Sequence, residues 1–148
     1  MSTKELTRVW RLDKHIRDKV DKLDRLRALV GNSGVRYDTD PVQSSSGLDR
    51  LERTIAEIVD LEKEIDEMID RYAKYKEYVI ERIDRLPNER SRDVIYDRYI
   101  LFMSFSEISA QLGGIDIRWI KRIHKRALQE YGEIDAKSSL DTRCSGLY

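Results

Sequence analysis

Residues 104–128 read SFSEISAQLGGIDIRWIKRIHKRAL, and this stretch decides which fold the sequence predicts. Ser104 and Glu107 have the S-x-x-E spacing of a capping box, in which each side chain accepts a hydrogen bond from a backbone amide at the start of a helix. The spacing predicts a short helix that begins near Phe105 and covers residues 105–112.

A glycine turn and a second helix follow. Gly113 and Gly114 adopt positive φ at little cost, and Ile115 can fill the space between two helices. Asp116 is a residue type favoured at a helix N-cap. A second helix over residues 117–131 is therefore predicted, and the two helices with their short turn form a helix-turn-helix.

The second predicted helix has two chemically different sides. Ile120, Ile123 and Ala127 form an apolar stripe at i, i+3 and i+7, which is typical of a core-facing side. No acidic residue lies between Ile117 and Leu128, so the opposite side is purely basic. Such a side can bind DNA phosphates or read base edges, although many basic faces are only solvated. The residues predicted to contact DNA are Arg118, Trp119, Lys121, Arg122, Lys125 and Arg126.

Two residues of this helix have competing interpretations. Trp119 either packs against a neighbouring helix, which the pattern favours, or contacts DNA or a protein. His124 lies beside the apolar stripe, where packing at the helix edge is favoured over a contact with phosphate.

The charge of the chain is balanced overall and segregated locally. There are 28 basic and 28 acidic residues, with an isoelectric point near 6.8. Residues 1–30 hold nine basic and five acidic residues, whereas residues 47–86 hold eight basic and twelve acidic residues. Because a DNA-binding protein needs its positive charge only where it meets DNA, the balance does not exclude that function.

The C-terminal part of the chain resembles a known family. Residues 86–131 are similar to the fourth region of bacterial sigma-70 factors, through the pairs Leu86-Pro87, Arg98-Tyr99, Glu107-Ile108 and Ala127-Leu128. Two departures stand out. Ser109 replaces the usual alanine, and the Gly113-Gly114 turn is one residue longer than the common pattern.

The rest of the chain narrows this resemblance. The sequence VQSSS at 42–46, followed by a long charged helix and the sigma-like end, resembles small proteins of Gram-positive phages and prophages related to late-operon transcriptional activators. The resemblance covers most of residues 6–131. It implies binding to specific promoter DNA and contact with RNA polymerase, whereas the residue pattern by itself predicts only binding to double-stranded DNA.

A long coiled-coil-like helix is predicted over residues 48–86. Ten of its twelve heptad a and d positions are apolar, and the polar exceptions, Glu62 and Lys76, either fix the register or are partly exposed. The twelve positions are Leu48, Leu51, Ile55, Ile58, Glu62, Ile65, Ile69, Tyr72, Lys76, Val79, Ile83 and Leu86.

The long helix needs a partner. A first helix over residues 3–30, ended by Gly31, can fold back as an antiparallel partner after a loop at 31–47, but it is shorter than the long helix. Side chains among Ile69, Tyr72, Val79 and Ile83 are therefore predicted to pair with a second copy in a homodimer. The competing expectation is that the C-terminal unit folds back over them.

The predicted fold is all-α with three parts. Residues 1–86 form the antiparallel helical hairpin. Residues 87–131 form a three-helix unit, in which a helix over 87–102 packs behind the helix-turn-helix. Residues 132–148 form a flexible tail.

The chain lacks the residues that several classes of function require. The chain has one cysteine, Cys144, and two histidines, His15 and His124, with no nucleotide-binding glycine loop or metal-binding motif. No enzyme activity, cofactor, metal site or small-molecule substrate is predicted. The N-terminus has no apolar signal region and no window approaches a membrane span, so a cytoplasmic protein without membrane contact is expected.

Two functions remain open at the level of sequence. One is a DNA-binding transcription regulator of the phage late-gene type. The other is a helical interaction protein, such as a phage assembly or packaging adaptor, that uses the long helix as its main surface.

Overall fold

The computed structural model describes the backbone of residues 2–33 and 44–144, and the side chains of residues 3–31 and 47–134. The all-α prediction is confirmed, since these ranges contain helices and no strand. None of their helices combines the length and the apolar character that crossing a membrane requires. The helices are α1 (Ser2–Ser33), α2 (Ser44–Asp84), α3 (Glu89–Tyr99), α4 (Phe105–Gln111) and α5 (Ile117–Cys144).

The first two helices are longer than predicted at the ends that face the connection. α1 continues through Gly31 to Ser33, and α2 begins at Ser44, four positions before Leu48. Glycine in a helix costs only about 1 kcal/mol relative to alanine, so Gly31 does not have to end α1. The predicted loop at 31–47 is therefore wrong at both ends, and its central residues 34–43 lie outside the described residues.

Pro87 separates α2 from α3, as its missing amide predicts. It is not the first residue of the next helix, however, because the N-cap of α3 is Asn88, whose side chain accepts a hydrogen bond from the amide of Arg90. α3 is also shorter than the predicted range 87–102. Its C-cap is Ile100, whose amide donates to the carbonyl of Tyr96.

The last helix continues beyond its predicted end. α5 does not stop at Tyr131 but continues to Cys144, so residues 132–144, predicted as part of a flexible tail, are helical. The sequence there contains good helix formers, among them Glu133, Ala136 and Lys137, which can extend a helix past the single Gly132.

The described residues form two compact units. The C-terminal unit contains α1 up to Arg11 together with the chain from Ala73 onward, and the long-helix unit is Leu12–Tyr72. This division differs from the predicted boundary between residues 86 and 87. The reason is burial, because Leu6 and Val9 at the N-terminus are fully buried and therefore belong to a core.

The C-terminal unit has a core that joins α3, α4 and α5. Val94 of α3, Ile108 of α4 and Ile120 of α5 are fully buried against one another. Partly buried side chains surround these three, namely Met103, Phe105, Leu112, Ile115 and Ile123. The predicted three-helix packing is thus present as a contact between α3, α4 and α5.

The same unit buries part of the predicted dimer seam. Val79 and Ile83 are 0% and 1% exposed, within the C-terminal unit. The prediction that they lack a partner in their own chain is therefore wrong. Ile69, in the long-helix unit, is 45% exposed and keeps the exposure on which the homodimer prediction rested.

The long-helix unit has a smaller core between α1 and α2. Leu23 packs with Leu61 and Ile65. Leu61 lies one position outside the predicted heptad seam, so the side of α2 that faces α1 is rotated from the expected one. Two ion pairs flank this core, between Lys19 and Glu64 at 3.2 Å and between Arg27 and Glu62 at 2.7 Å. Glu62 therefore has a partner on α1 and is also 43% exposed at its side chain, so both interpretations of this position stay open.

Candidate nucleic-acid interface

The predicted capping box is present at the start of α4. The Glu107 amide donates to Ser104 Oγ at 3.2 Å, and the Ser104 amide donates to Glu107 Oε2 at 2.7 Å. Met103 precedes the box and packs against the core that contains Ile108. These contacts set the direction in which the chain enters α4.

The turn between α4 and α5 uses both glycines as predicted. Gly113 and Gly114 have φ of 88° and 81°, in the left-handed region that other residues adopt only at a cost. Ile115 follows them and packs against the core. The Ser109 hydroxyl donates a hydrogen bond to the Ile115 carbonyl, across the turn. The Ser109 side chain therefore supplies a contact that closes the turn.

α5 begins at a capped N-terminus. Asp116 Oδ1 accepts a hydrogen bond of 3.0 Å from the amide of Arg118, which confirms Asp116 as the capping residue. The apolar stripe lies inward as predicted, because Ile120 and Ala127 are fully buried and Ile123 is partly buried. The first turns of α5 are thus fixed by a cap at one end and a core on one side.

The side of α5 opposite the core is exposed and basic. Arg118, Arg122 and Lys125 follow one another at i, i+4 and i+7, and all three are exposed. Arg126 is exposed as well and forms an ion pair with Glu130 at 3.2 Å. We call this surface the basic face, formed by the exposed residues Arg118, Lys121, Arg122, Lys125 and Arg126.

Trp119 and His124 differ in their surroundings. Trp119 is 50% exposed, so half of its surface is open to solvent, and its packing against a neighbouring helix stays a prediction. His124 is packed as predicted. Its ring stacks on Tyr99 with 5.7 Å between the ring centroids, and it makes an edge-to-face contact with Phe105 with 5.2 Å between the centroids. His124 Nε2 and Tyr99 Oη share a hydrogen bond of 2.8 Å. Burial, with a smaller contribution from Arg98, lowers the pKa of His124 below its ordinary value, which favours the neutral ring.

A buried polar network connects α5 with α1 and α2 within the C-terminal unit. Nothing in the local sequence pattern predicts it. Arg82 Nη1 donates to Glu5 Oε1 at 3.0 Å and to Tyr78 Oη at 2.6 Å. Tyr131 of α5 donates to the other oxygen of Glu5 at 3.3 Å, and the Arg82 guanidinium lies over the Tyr131 ring. Burial first, and then the charge of Glu5, raise the pKa of Tyr131 well above its ordinary value. Tyr131 therefore remains a neutral donor.

Comparison with protein-family models, with curated proteins and with solved structures finds no match to this chain. Within the part of the chain that is described, no group of three or more histidine, cysteine, aspartate or glutamate side chains is arranged to hold a metal ion. The features of this chain that bear on function are therefore the geometry of α4, the glycine turn and α5.

Proposed function

We propose that this protein is a DNA-binding transcription regulator that inserts α5 into the major groove. The observation that carries the proposal is the combination in α5 of a buried apolar stripe with an exposed basic face on the opposite side. A helix held in this way can enter the major groove as a rigid body, since its core contacts are made by the protein itself.

The positions on the basic face have different expected roles. Arg118 and Arg122 lie on the first turns of α5, the end that a recognition helix usually directs at base edges, and arginine can donate two hydrogen bonds to guanine. Lys125 and Arg126 follow on the same helix and suit phosphate contacts, which position the protein without reading sequence. Trp119 and Lys121 complete the surface.

The sequence resemblance narrows the kind of regulator. It supports activation of phage or prophage late genes through promoter DNA and RNA polymerase, and this finer function is part of the same proposal. DNA and polymerase are cytoplasmic in bacteria, so the proposal also assigns the protein to the cytoplasm.

Replacing Arg118 or Arg122 by alanine is expected to weaken binding to a duplex that the parent protein selects from a randomised library. Loss of a bidentate base contact costs about 1–3 kcal/mol, or about 5- to 150-fold in affinity. Thermal melting should stay unchanged because both side chains are exposed. Fluorescence anisotropy with labelled duplex measures the affinity, and the slope of log K against log salt should be about −0.9 per neutralised phosphate.

Arg53→Ala is the matched control, since Arg53 is an exposed arginine in the long-helix unit. It should leave the affinity and the salt slope unchanged. If the parent selects no duplex, or if Arg118→Ala and Arg122→Ala bind like the parent, α5 does not read DNA.

A second function, a helical interaction or phage assembly and packaging adaptor, is favoured by one observation. Leu48, Ile55, Val59 and Ile69 of α2 are 43–58% exposed. At about 100° per residue, they project within about 80° of one another, so they lie on one side of α2, where charged residues separate Ile69 from the other three. Monomeric proteins rarely expose large apolar patches, and the transcription regulator we propose would use the apolar side chains on this side of α2 to form a homodimer.

Ile55→Asp and Ile69→Asp are expected to dissociate that homodimer. Light scattering on the parent should give a mass near twice 17.5 kDa, and either variant should shift it toward 17.5 kDa at the same concentration. Ala56→Asp adds the same charge at an exposed position beside Ile55 and should leave the mass unchanged. A parent mass of 17.5 kDa over a wide concentration range would contradict self-association.

A further inference from the structure

An aromatic cleft opens in the C-terminal unit, away from any role assigned so far. It has a volume of about 470 Å³, within the roughly 300–1,000 Å³ that is usual for small-molecule sites. It draws residues from α1, from α3 and the segment after it, and from α4 and α5. The principal lining side chains are Trp10, Arg98, Tyr99, Phe102, Phe105 and His124.

The cleft has fixed aromatic walls. Tyr99, Phe105 and His124 hold one another through the ring contacts and the hydrogen bond described above. Trp10 is 43% exposed and so offers ring surface that the protein itself does not cover. Flat rigid surfaces of this kind favour a planar ring system, because aromatic pairs gain from stacked and edge-to-face contacts.

Phe102 contributes a second kind of observation. Its φ is 56°, which makes it the non-glycine residue with positive φ among the described residues. A bulky side chain adopts this conformation only when the surroundings impose it, and such residues concentrate at binding and catalytic sites. In this protein the unusual backbone belongs to a residue that lines the cleft.

The charge of the cleft is positive. Its lining contains one arginine, Arg98, and no acidic residue. The Arg98 guanidinium lies 4.4 Å from the centroid of Phe105, and its Nη1 donates to the Met103 carbonyl at 2.9 Å. These contacts orient a group that has five N–H donors in a planar fork, which suits a carboxylate. Lys121 Nζ, from the basic face, lies 5.9 Å from the centroid of the same ring and adds a second positive charge near the cleft.

We propose that this cleft binds a small planar aromatic anion, with the ring against Trp10 and the other aromatic walls and the anionic group at Arg98. The proposal concerns a ligand that the sequence did not predict. It does not depend on DNA binding, because none of the residues that line the cleft belongs to the basic face.

Calorimetric titration of the full-length protein with 2-naphthoate tests the proposal, with 2-naphthamide as the neutral analogue of the same shape. We expect saturable binding of one naphthoate per chain and at least tenfold weaker binding of the amide. Arg98→Met should reduce the affinity for naphthoate at least tenfold and leave the affinity for the amide unchanged.

The two tryptophans provide a matched pair of variants. Trp10→Ala should weaken the binding of naphthoate and of the amide by a similar factor, since it removes ring contact and no charge. Trp119→Ala removes the other half-exposed tryptophan, which lies outside the cleft, and should change neither affinity. Circular dichroism confirms that each variant is folded at the temperature of the titration.

The proposal is overturned if the parent shows no saturable binding of naphthoate, or if naphthoate and the amide bind equally well. It is also overturned if Trp119→Ala weakens binding and Trp10→Ala does not, because the probe then binds elsewhere. If Arg98→Met fails to fold, the comparison of carboxylate with amide in the parent and the tryptophan pair still decide the question.

Discussion

Glu5→Gln is expected to lower the free energy of unfolding of the C-terminal unit by about 3–5 kcal/mol. The Arg82 side chain is only 8% exposed and its partner Glu5 only 18%. Removing the carboxylate charge takes away a counter-ion from a buried guanidinium, and breaking a buried pair on one side costs about that much. The same change weakens the acceptor for the Tyr131 hydroxyl, so it also loosens α5.

Urea unfolding followed by circular dichroism measures this effect, and an exposed ion pair provides the control. Arg27 and Glu62 are 55% and 43% exposed at their side chains. Glu62→Gln should therefore cost at most about 1 kcal/mol, because water and ions already screen that pair. If Glu5→Gln and Glu62→Gln lower the free energy of unfolding by the same small amount, the buried Arg82 pair stabilises the protein no more than the exposed pair does.

The parts of the site that could be predicted from sequence are those in which cause and effect lie within a few residues. Ser104 caps an amide three positions away, and Asp116 caps an amide two positions away. Gly113 and Gly114 permit the positive φ values of the turn between α4 and α5. The exposure of the basic face follows from the 3.6-residue period once the apolar stripe is recognised.

Long-range contacts could not be predicted in this way. Glu5 meets Arg82 across 77 positions and Tyr131 across 126 positions. A carboxylate, an arginine and a tyrosine at such distances look like ordinary surface residues, since no periodic pattern connects them. The cleft has the same character, because Trp10, Arg98 and His124 come from three helices.

Heptad analysis of α2 identified apolar positions but not what covers them. Val79 and Ile83 are covered within the C-terminal unit, whereas Ile55 and Ile69 stay exposed in the long-helix unit. All four occupy seam positions in the same helix. Their different environments depend on which other segments fold against each part of α2, and the heptad itself contains no information on that.

Deleting residues 1–11 is expected to unfold the C-terminal unit at room temperature. The domain boundary predicted from the sequence, between residues 86 and 87, implies instead that the helix-turn-helix folds without them. The deletion removes two fully buried side chains, Leu6 and Val9, together with the carboxylate of Glu5. Each buried aliphatic truncation costs about 2–5 kcal/mol, and the buried charge adds to that. The total, about 7–15 kcal/mol, is as large as the 5–15 kcal/mol by which a whole domain is usually stable.

Graded variants separate this effect from a general sensitivity of the N-terminus. Leu6→Ala should lower the melting temperature strongly, whereas Lys4→Ala, an exposed neighbour in the same helix, should leave it unchanged. A fragment of residues 87–148 should show weak helical signal and no cooperative melting, because it lacks Val79 and Ile83 as well as Leu6. If that fragment instead melts cooperatively at the temperature of the full chain, the buried N-terminal residues are not part of its core. The original boundary at residue 87 is then the correct one, since a core of Val94, Ile108 and Ile120 suffices by itself.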